Sequence, residues 1–174
     1  MIRQEVATKM TGQTAARDLA EFIARHYPGR VVEVGVGHFP YVAQRLSQMG
    51  LEVILTDRVE RILAGMRVEK DDIFAPQREI YQGAGLIYSI RPPLEMQLAM
   101  GELAAAVGAD VIVRPLQDEI AQLAGFGRRL VNYREARFYL FGKKSRIVNQ
   151  RSAHTPSQLF LNPLKKSYNP LFSP

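Results

Sequence analysis

The sequence contains no cysteine and only three histidines among its 174 residues. The absence of cysteine excludes disulfides, thiolate metal ligands and cysteine nucleophiles, and it fits a reducing compartment. The histidines are His26, His38 and His154. They lie far apart and lack the spacing of metal ligands, so no metal site is predicted.

Long apolar runs are also missing from the chain. No stretch approaches the ~18 residues that a membrane-spanning helix needs. Residues 1–5 are not followed by the apolar core of a signal sequence. With 47% hydrophobic residues the chain can still bury the core of one domain. We therefore predict a soluble, cytoplasmic protein without a membrane partner.

Acidic residues are absent from the C-terminal stretch 143–174. This stretch holds six of the 23 basic residues, and the other 17 balance the 17 acidic residues of the preceding chain. Four prolines interrupt it, which predicts an irregular basic tail after a folded domain at 1–142. The net charge of +6 therefore belongs to the tail, where attraction to a nucleic acid is expected to be strongest.

Strand and helix patterns alternate along residues 1–142. Runs of branched apolar residues indicate buried strands, and a 3.6-residue apolar period bounded by glycine or proline indicates helices. Helices are predicted at 15–26, 40–49, 59–63 (a helix or turn), 93–107 and 116–123. Strands are predicted at 30–36, 51–56, 66–69, 86–90 and 110–113, with a final hairpin of 129–133 and 136–141. The alternation predicts an α/β protein with a doubly wound, mostly parallel sheet that ends in an antiparallel hairpin.

The central motif is a strand, a two-glycine turn and a helix start at residues 31–40. Gly35 and Gly37 permit a tight turn and the close approach of a ligand, while the following helix directs free N–H groups to the same place. Asp57 ends the next strand, 20 residues after Gly37, where a carboxylate can accept hydrogen bonds from ribose. These residues predict a small adenosine-containing ligand. The alternative is a turn without a ligand, with Glu33 and Asp57 in salt bridges.

Two residues favour S-adenosylmethionine over NAD as this ligand. Pro40 stands where a dinucleotide fingerprint has its third glycine, which makes NAD the weaker candidate. Glu33, two residues before the first glycine, suits the cationic amino group of S-adenosylmethionine. Asp71 and Asp72 follow the third strand and are expected beside the purine ring.

These motifs resemble those of class I S-adenosylmethionine-dependent methyltransferases. Residues 33–37 are similar to the first motif of that superfamily, and Asp57 falls at its ribose-binding acid. Asp72 and Ile73 fall where the superfamily often contacts adenine. The resemblance covers residues 13–142 and implies a Rossmann-like fold with S-adenosylmethionine as cofactor. One departure is Phe39, which replaces the usual third glycine; another is the lack of a separate substrate domain.

A narrower resemblance is to an uncharacterised archaeal family of short methyltransferase-like proteins. It is carried by the runs 32–37, 71–74, 86–93, 108–110 and 114–116. This resemblance implies the methyltransferase fold without implying a particular reaction. The tail after Lys143 lies outside it.

A second constellation follows two later strands. Ser89 and Arg91 precede a Pro-Pro pair, and Arg114 precedes another proline, at the carboxyl ends of strands expected to be neighbours. Ligands bind at that edge of such sheets, and two guanidinium groups there would hold a phosphate or carboxylate of a substrate. The open alternative is internal pairing of both arginines with Asp57, Asp71 or Asp118.

Three functions remain open on these residues. The first is a methyltransferase with no assigned catalytic residue, since His38 is more typical of an exposed loop than of a general base. The second is a non-catalytic nucleotide-binding or regulatory protein with the same fold. The third is an RNA-associated protein that uses the basic tail, with help from Tyr168 and Phe172. The sequence assigns neither a methyl acceptor nor an oligomeric state.

Overall fold

The computed structural model describes residues 2–117 and 119–143, with side chains from Gly12 onward. The helices are α1 (Ile2–His26), α2 (Tyr41–Gln48), α3 (Arg78–Tyr81) and α4 (Leu94–Val107). The strands are β1 (Arg30–Val34), β2 (Val53–Asp57), β3 (Arg61–Leu63), β4 (Met66–Lys70), β5 (Ala84–Ile90), β6 (Asp110–Arg114), β7 (Phe126–Tyr133) and β8 (Ala136–Lys143). Asp118 and the predicted tail beyond Lys143 lie outside the described residues.

The strands form one sheet in the order β3-β4-β2-β1-β5-β6-β8-β7. The five strands from β4 to β6 in this order pair in parallel, whereas β3 and the β7–β8 hairpin add antiparallel edges. The chain moves outward from β1 to β2 on one side and continues from β5 to β6 on the other. The strand order therefore reverses between β1 and β5, the position at which open α/β sheets bind ligands.

Alternating side chains of the buried strands fill a core on each face of the sheet. On one face α1 and α2 cover the first cluster, which includes Leu19, Ile23, Val31, Leu46, Leu86, Ile112 and Phe138. On the other face α4 covers the second, which includes Val32, Val34, Ile87, Met100, Val111 and Phe141. Because both faces of the sheet are covered, the central strands have nearly continuous apolar sequences.

Helix α1 is fastened to the hairpin at the far end of its face. The buried carboxylate of Asp18 accepts the backbone N–H of Glu135 at 3.1 Å and pairs with Arg17 at 3.1 Å. Glu21, one turn further along, pairs with Arg134 in the hairpin turn. These contacts fix α1 against the sheet. In the described part of the chain, no helix combines the length and apolar character that crossing a bilayer requires.

One predicted element is wrong in type. The segment 59–63, predicted as a helix or turn, contributes strand β3, which forms a hairpin with β4. Both residues of the connecting turn have positive φ, 51° at Ala64 and 80° at Gly65. Such turns are usually signalled by Asn-Gly or Asp-Gly, and alanine in the first position conceals the signal.

A second predicted helix, 116–123, is not formed in the described residues of that segment. The buried side chain of Gln97 in α4 binds the segment instead. Its amide nitrogen donates to the carbonyls of Pro92 and Glu119 at 3.0 and 3.1 Å, and its oxygen accepts the N–H of Ala121 at 2.9 Å. A side chain from another element thus takes backbone groups that a local helix would otherwise use.

Candidate functional site

The turn between β1 and α2 requires both of its glycines. Gly35 and Gly37 have φ of 65° and 60°, a region that costs other L-residues about 1–2 kcal/mol. The N–H groups of Gly35 and Val36 donate to the carbonyl of Thr56 at 2.9 and 3.3 Å, which ties the turn to β2. A Cβ at Gly35 would lie 2.6 Å from the Met96 methyl group, whereas one at Gly37 would meet nothing within 4 Å. Open space therefore lies over position 37.

Asp57 faces this turn, and the structure brings together the two features whose spacing suggested a site. Its Oδ2 accepts the N–H of Gly37 at 3.1 Å, and its Oδ1 accepts the N–H of Arg58 at 2.7 Å. Partial burial opposes ionisation, but hydrogen bonds from Arg61, Arg58 and Gly37 outweigh it and lower the pKa of Asp57. The carboxylate is therefore a preorganised acceptor at the end of β2.

Arg61 is a component of this site that the sequence analysis did not identify. Its Nη2 donates to Asp57 at 2.9 Å and also to the carbonyl of Gly37, while its Nη1 donates to the carbonyl of Val59 at 2.9 Å. The Nε group is buried without a hydrogen-bond partner among the described residues. The guanidinium group therefore occupies one side of the carboxylate that the sequence analysis predicts as a ribose acceptor.

Glu33 lies beneath the turn in the core. It is 1% exposed, and its Oε2 accepts the hydroxyl of the equally buried Tyr88 at 2.7 Å. Burial raises the pKa of Glu33 to about 8, although the hydrogen bond from Tyr88 acts in the opposite direction. Glu33 is therefore mostly protonated at neutral pH and is poorly suited to a direct salt bridge with an amino group.

The residues after β4 divide between surface and interior. Asp72 is exposed, accepts the N–H of Phe74 at 3.1 Å and lies 3.9 Å from Arg58. Ile73 is 8% exposed and packs in the core on the α4 face. Asp71 is buried and accepts the hydroxyl of Tyr81 at 2.6 Å. Only Asp72 of these three presents a polar side chain at the edge of the sheet.

The second constellation lies at the ends of β5 and β6. The N–H of Arg91 donates to the carbonyl of Arg114 at 2.7 Å, so that the two arginines are neighbours as predicted. Arg91 has a φ of 59°, strained by about 1–2 kcal/mol for a residue other than glycine. Burial, and then the charge of Arg91, lower the pKa of Arg114. Ser89 is fully buried and donates to the carbonyl of Val34 at 2.6 Å, a contact that joins β5 to β1.

A cavity of about 550 Å³ connects the arginines with the start of α2. It is lined by Gly12, Gln13, Ala16, Phe39, Tyr41, Val42, Ile90, Arg91, Arg114, Pro115 and Leu116. The rings of Phe39 and Tyr41 stack with their centroids 6.0 Å apart. Phe39 is 61% exposed, so the residue that replaces the third glycine forms part of this wall instead of filling the turn. His38 is exposed nearby in the sequence and does not line the cavity.

The fold is that of the class I S-adenosylmethionine methyltransferases, as predicted from the sequence. The chain matches a solved S-adenosyl-L-methionine methyltransferase from Silicibacter pomeroyi DSS-3 with a TM-score of 0.54, over 79% of this chain and 96% of that one. The two sequences are 14% identical, so this likeness concerns the fold alone.

The chain belongs to UPF0146, an uncharacterised protein family whose model matches residues 16–143. A UPF0146 protein of Archaeoglobus fulgidus is 44% identical over 128 residues, 73% of this chain and 95% of the relative. Another, from Methanothermobacter thermautotrophicus, is 43% identical over 125 residues, 70% of this chain and 91% of the relative. The predicted relationship to an archaeal family with the methyltransferase fold is confirmed.

Proposed function

We propose that this chain is an S-adenosylmethionine-dependent methyltransferase that binds its cofactor at the carboxyl ends of β1 and β2. The observation that carries the proposal is the contact of Asp57 with the N–H of Gly37, at 3.1 Å, beside a turn with open space above it. This contact lies close to the reversal of strand order in the sheet, where ligands bind in this architecture.

The residues at this edge fit an adenosine-containing cofactor. Asp57 would accept hydrogen bonds from the ribose, and Asp72 would lie at the adenine edge with Ile73 packed below it. Gly35 and Gly37 leave the backbone accessible, so that the methionine part can approach the turn. Glu33 would support this turn as a neutral side chain held by Tyr88.

Arg61 must exchange its contact with Asp57 for the ribose to use both carboxylate oxygens. The side chains of Arg61 and Asp57 are 25% and 23% exposed, and water screens part of their attraction. Ion pairs near the surface contribute about 0–1 kcal/mol, so the exchange is affordable for a ligand that supplies hydroxyl groups in return. Arg61 would then lower the affinity for the cofactor without abolishing binding.

When bound, S-adenosylmethionine would supply an electrophilic methyl group to a nucleophilic atom of the acceptor. The contribution expected from this chain is positioning, because holding two reactants in line can remove a large part of the reaction barrier. The cavity next to the turn, between Phe39 and Arg114, would hold the acceptor. No general base is assigned among the described residues.

Calorimetric titration with S-adenosylhomocysteine, S-adenosylmethionine and NAD tests the proposal. We expect the wild type to prefer the two S-adenosyl ligands, and we expect Asp57→Asn to weaken S-adenosylhomocysteine binding by about tenfold or more, since a charged acceptor is lost. Glu60→Gln is the matched control, because it removes an exposed carboxylate whose one ion-pair partner among the described residues is Arg67. Preference for NAD, or equal losses in both variants, would contradict the proposal.

A non-catalytic binding protein is the second candidate, and the Arg61 contact favours it. The guanidinium group of Arg61 would compete with a ribose for the Asp57 carboxylate and so weaken cofactor binding, which a protein that only senses the cofactor can tolerate. Formation of S-adenosylhomocysteine during incubation with an acceptor separates the two functions, since a sensor binds the cofactor without turnover. The proposed nucleic-acid contact of the basic tail lies outside the described residues and supports neither candidate.

A further inference from the structure

Arg91 and Arg114 are among the arginines that have no carboxylate within ion-pair distance among the described residues; the others are Arg25, Arg45, Arg78, Arg128, Arg129 and Arg137. Ion pairs do hold Arg17, Arg30, Arg58, Arg61, Arg67 and Arg134. Of the described arginines without an ion pair, Arg114 alone is partly buried, whereas Arg91 and the others are exposed. A guanidinium group needs a counter-charge more as it leaves water, so Arg114 is the arginine for which a partner is most needed.

The neighbouring charge increases this need. Arg91 follows β5 and Arg114 ends the adjacent strand β6, and the hydrogen bond between their backbones, at 2.7 Å, keeps both residues at the same edge of the sheet. Both line the same cavity. An anion between them would offset their repulsion and accept N–H donors from two guanidinium groups, the geometry that suits phosphate or carboxylate.

The backbone of Arg91 gives an independent indication. Its φ of 59° suits glycine, and such strain at a non-glycine residue persists where the surrounding structure enforces it, often at ligand sites. Glycine would adopt this backbone at lower energy. The residue present instead has a long cationic side chain that lines a cavity.

The remaining wall of the cavity indicates the kind of molecule that carries the anionic group. Phe39 and Leu116 are 61% and 70% exposed, and Tyr41 stacks on Phe39. Large exposed apolar side chains gathered around one cavity indicate a binding surface. A volume of about 550 Å³ suits a metabolite-sized ligand.

We propose that Arg91 and Arg114 bind the phosphate or carboxylate group of a small molecule whose apolar or aromatic part packs against Phe39, Tyr41 and Leu116. The identification of this molecule as the methyl acceptor rests on the proposed function, whereas the anion site itself does not. Ser89 joins β5 to β1 below this site.

The test is an NMR titration of the ¹⁵N-labelled protein with inorganic phosphate and, separately, acetate at constant ionic strength. The backbone amides of Arg91 and Leu116 report on the site. The double variant Arg91→Gly, Arg114→Gln removes both guanidinium groups, and glycine at 91 suits the positive φ, so the variant is expected to fold. Arg129→Gln on the exposed edge strand β7 is the control: it removes one positive charge away from the cavity, whereas the double variant removes two charges at the cavity.

We expect saturable shifts in the wild type, at least about tenfold weaker phosphate binding in the double variant, and binding within about twofold of wild type in the control. Stronger binding of phosphate than acetate assigns a phosphorylated ligand, and the reverse order assigns a carboxylate. Unchanged affinity in the double variant, or an equal loss in the control, would overturn the proposal.

A parallel titration with S-adenosylhomocysteine separates this proposal from the proposed function. If the arginines bind the acceptor, the affinity of the double variant for S-adenosylhomocysteine stays within about threefold of wild type. A joint loss of phosphate and S-adenosylhomocysteine binding would mean that the arginines hold the cofactor carboxylate, which overturns the proposal. Binding of phosphate at the arginines without any binding of S-adenosylhomocysteine would support the anion site and reject the methyltransferase.

Discussion

Replacing Glu33 by glutamine tests the protonation state of the residue beneath the glycine turn. Glu33 is fully buried, and its carboxyl group accepts the hydroxyl of Tyr88 at 2.7 Å. Glutamine keeps the shape of the side chain and an oxygen that can accept this hydrogen bond, but it cannot ionise. The substitution therefore removes one titration from the folded protein while preserving its packing.

The magnitude follows from the raised pKa. Burial moves the pKa of Glu33 from an ordinary 4.5 to about 8, so the folded state retains a proton that the unfolded state loses between these values. Wild-type stability therefore falls with rising pH across this window by about 1.4 kcal/mol per unit, or ~5 kcal/mol in all, and levels off above pH 8. At pH 7 this loss lowers the free energy of unfolding of the wild type by ~3 kcal/mol, and Glu33→Gln does not undergo it because glutamine has no proton to lose.

Urea unfolding of both proteins at pH 5, 6, 7 and 8 measures this difference. The stability of Glu33→Gln relative to wild type should rise through the series, and other titrating groups cancel because both proteins contain them. Parallel stability profiles would refute the reasoning and would mean that Glu33 is ionised in the fold. Binding of S-adenosylhomocysteine at pH 7 should stay within about twofold of wild type, since the side chain is already neutral there.

Two further substitutions test the structure around the proposed sites. Arg61→Met frees one side of Asp57, so the affinity for S-adenosylhomocysteine should rise by up to about fivefold in calorimetry, which is equivalent to about 1 kcal/mol. A lower affinity would show that Arg61 is part of the binding surface. Gln97→Leu leaves the N–H of Ala121 and two carbonyls without their buried partner, and should cost about 2–4 kcal/mol in urea unfolding. The exposed Gln48→Leu is its control, and equal losses in the two variants would contradict this role of Gln97.

The sequence predicted those parts of the fold that depend on local pattern. Contiguous residues determine the apolar strands, the two-glycine turn and the helix that stops at Gly108. Gly108 adopts the expected left-handed conformation at the C-cap, with φ of 84°. The segments 59–63 and 116–123 were predicted in the wrong class because distant partners decide them. Segment 59–63 pairs with β4 across an unusual turn. In segment 116–123, backbone groups of Glu119 and Ala121 hydrogen-bond to the side chain of Gln97.

The candidate site was predictable to the same extent. The sequence placed Asp57 opposite Gly37, because strand ends and their spacing determine that meeting. It could not reveal that Arg61 would share the carboxylate, since this contact depends on the β3–β4 hairpin. Nor could it reveal that Glu33 is buried against Tyr88, because this contact joins residues 55 positions apart in the sequence.

The ionisation of these residues links the two proposed sites. With Glu33 mostly neutral at pH 7 and the charge of Asp57 balanced by Arg61, the carboxyl edge of the sheet retains the positive charges of Arg91 and Arg114. This field opposes a cofactor with a cationic sulfonium, but an anionic ligand at the arginines would cancel it. Binding of the anion should therefore strengthen binding of the cofactor, and linkage requires the reverse effect to be equal. An anionic acceptor would thus both fill the cavity and supply the negative charge that the proposed cofactor site lacks.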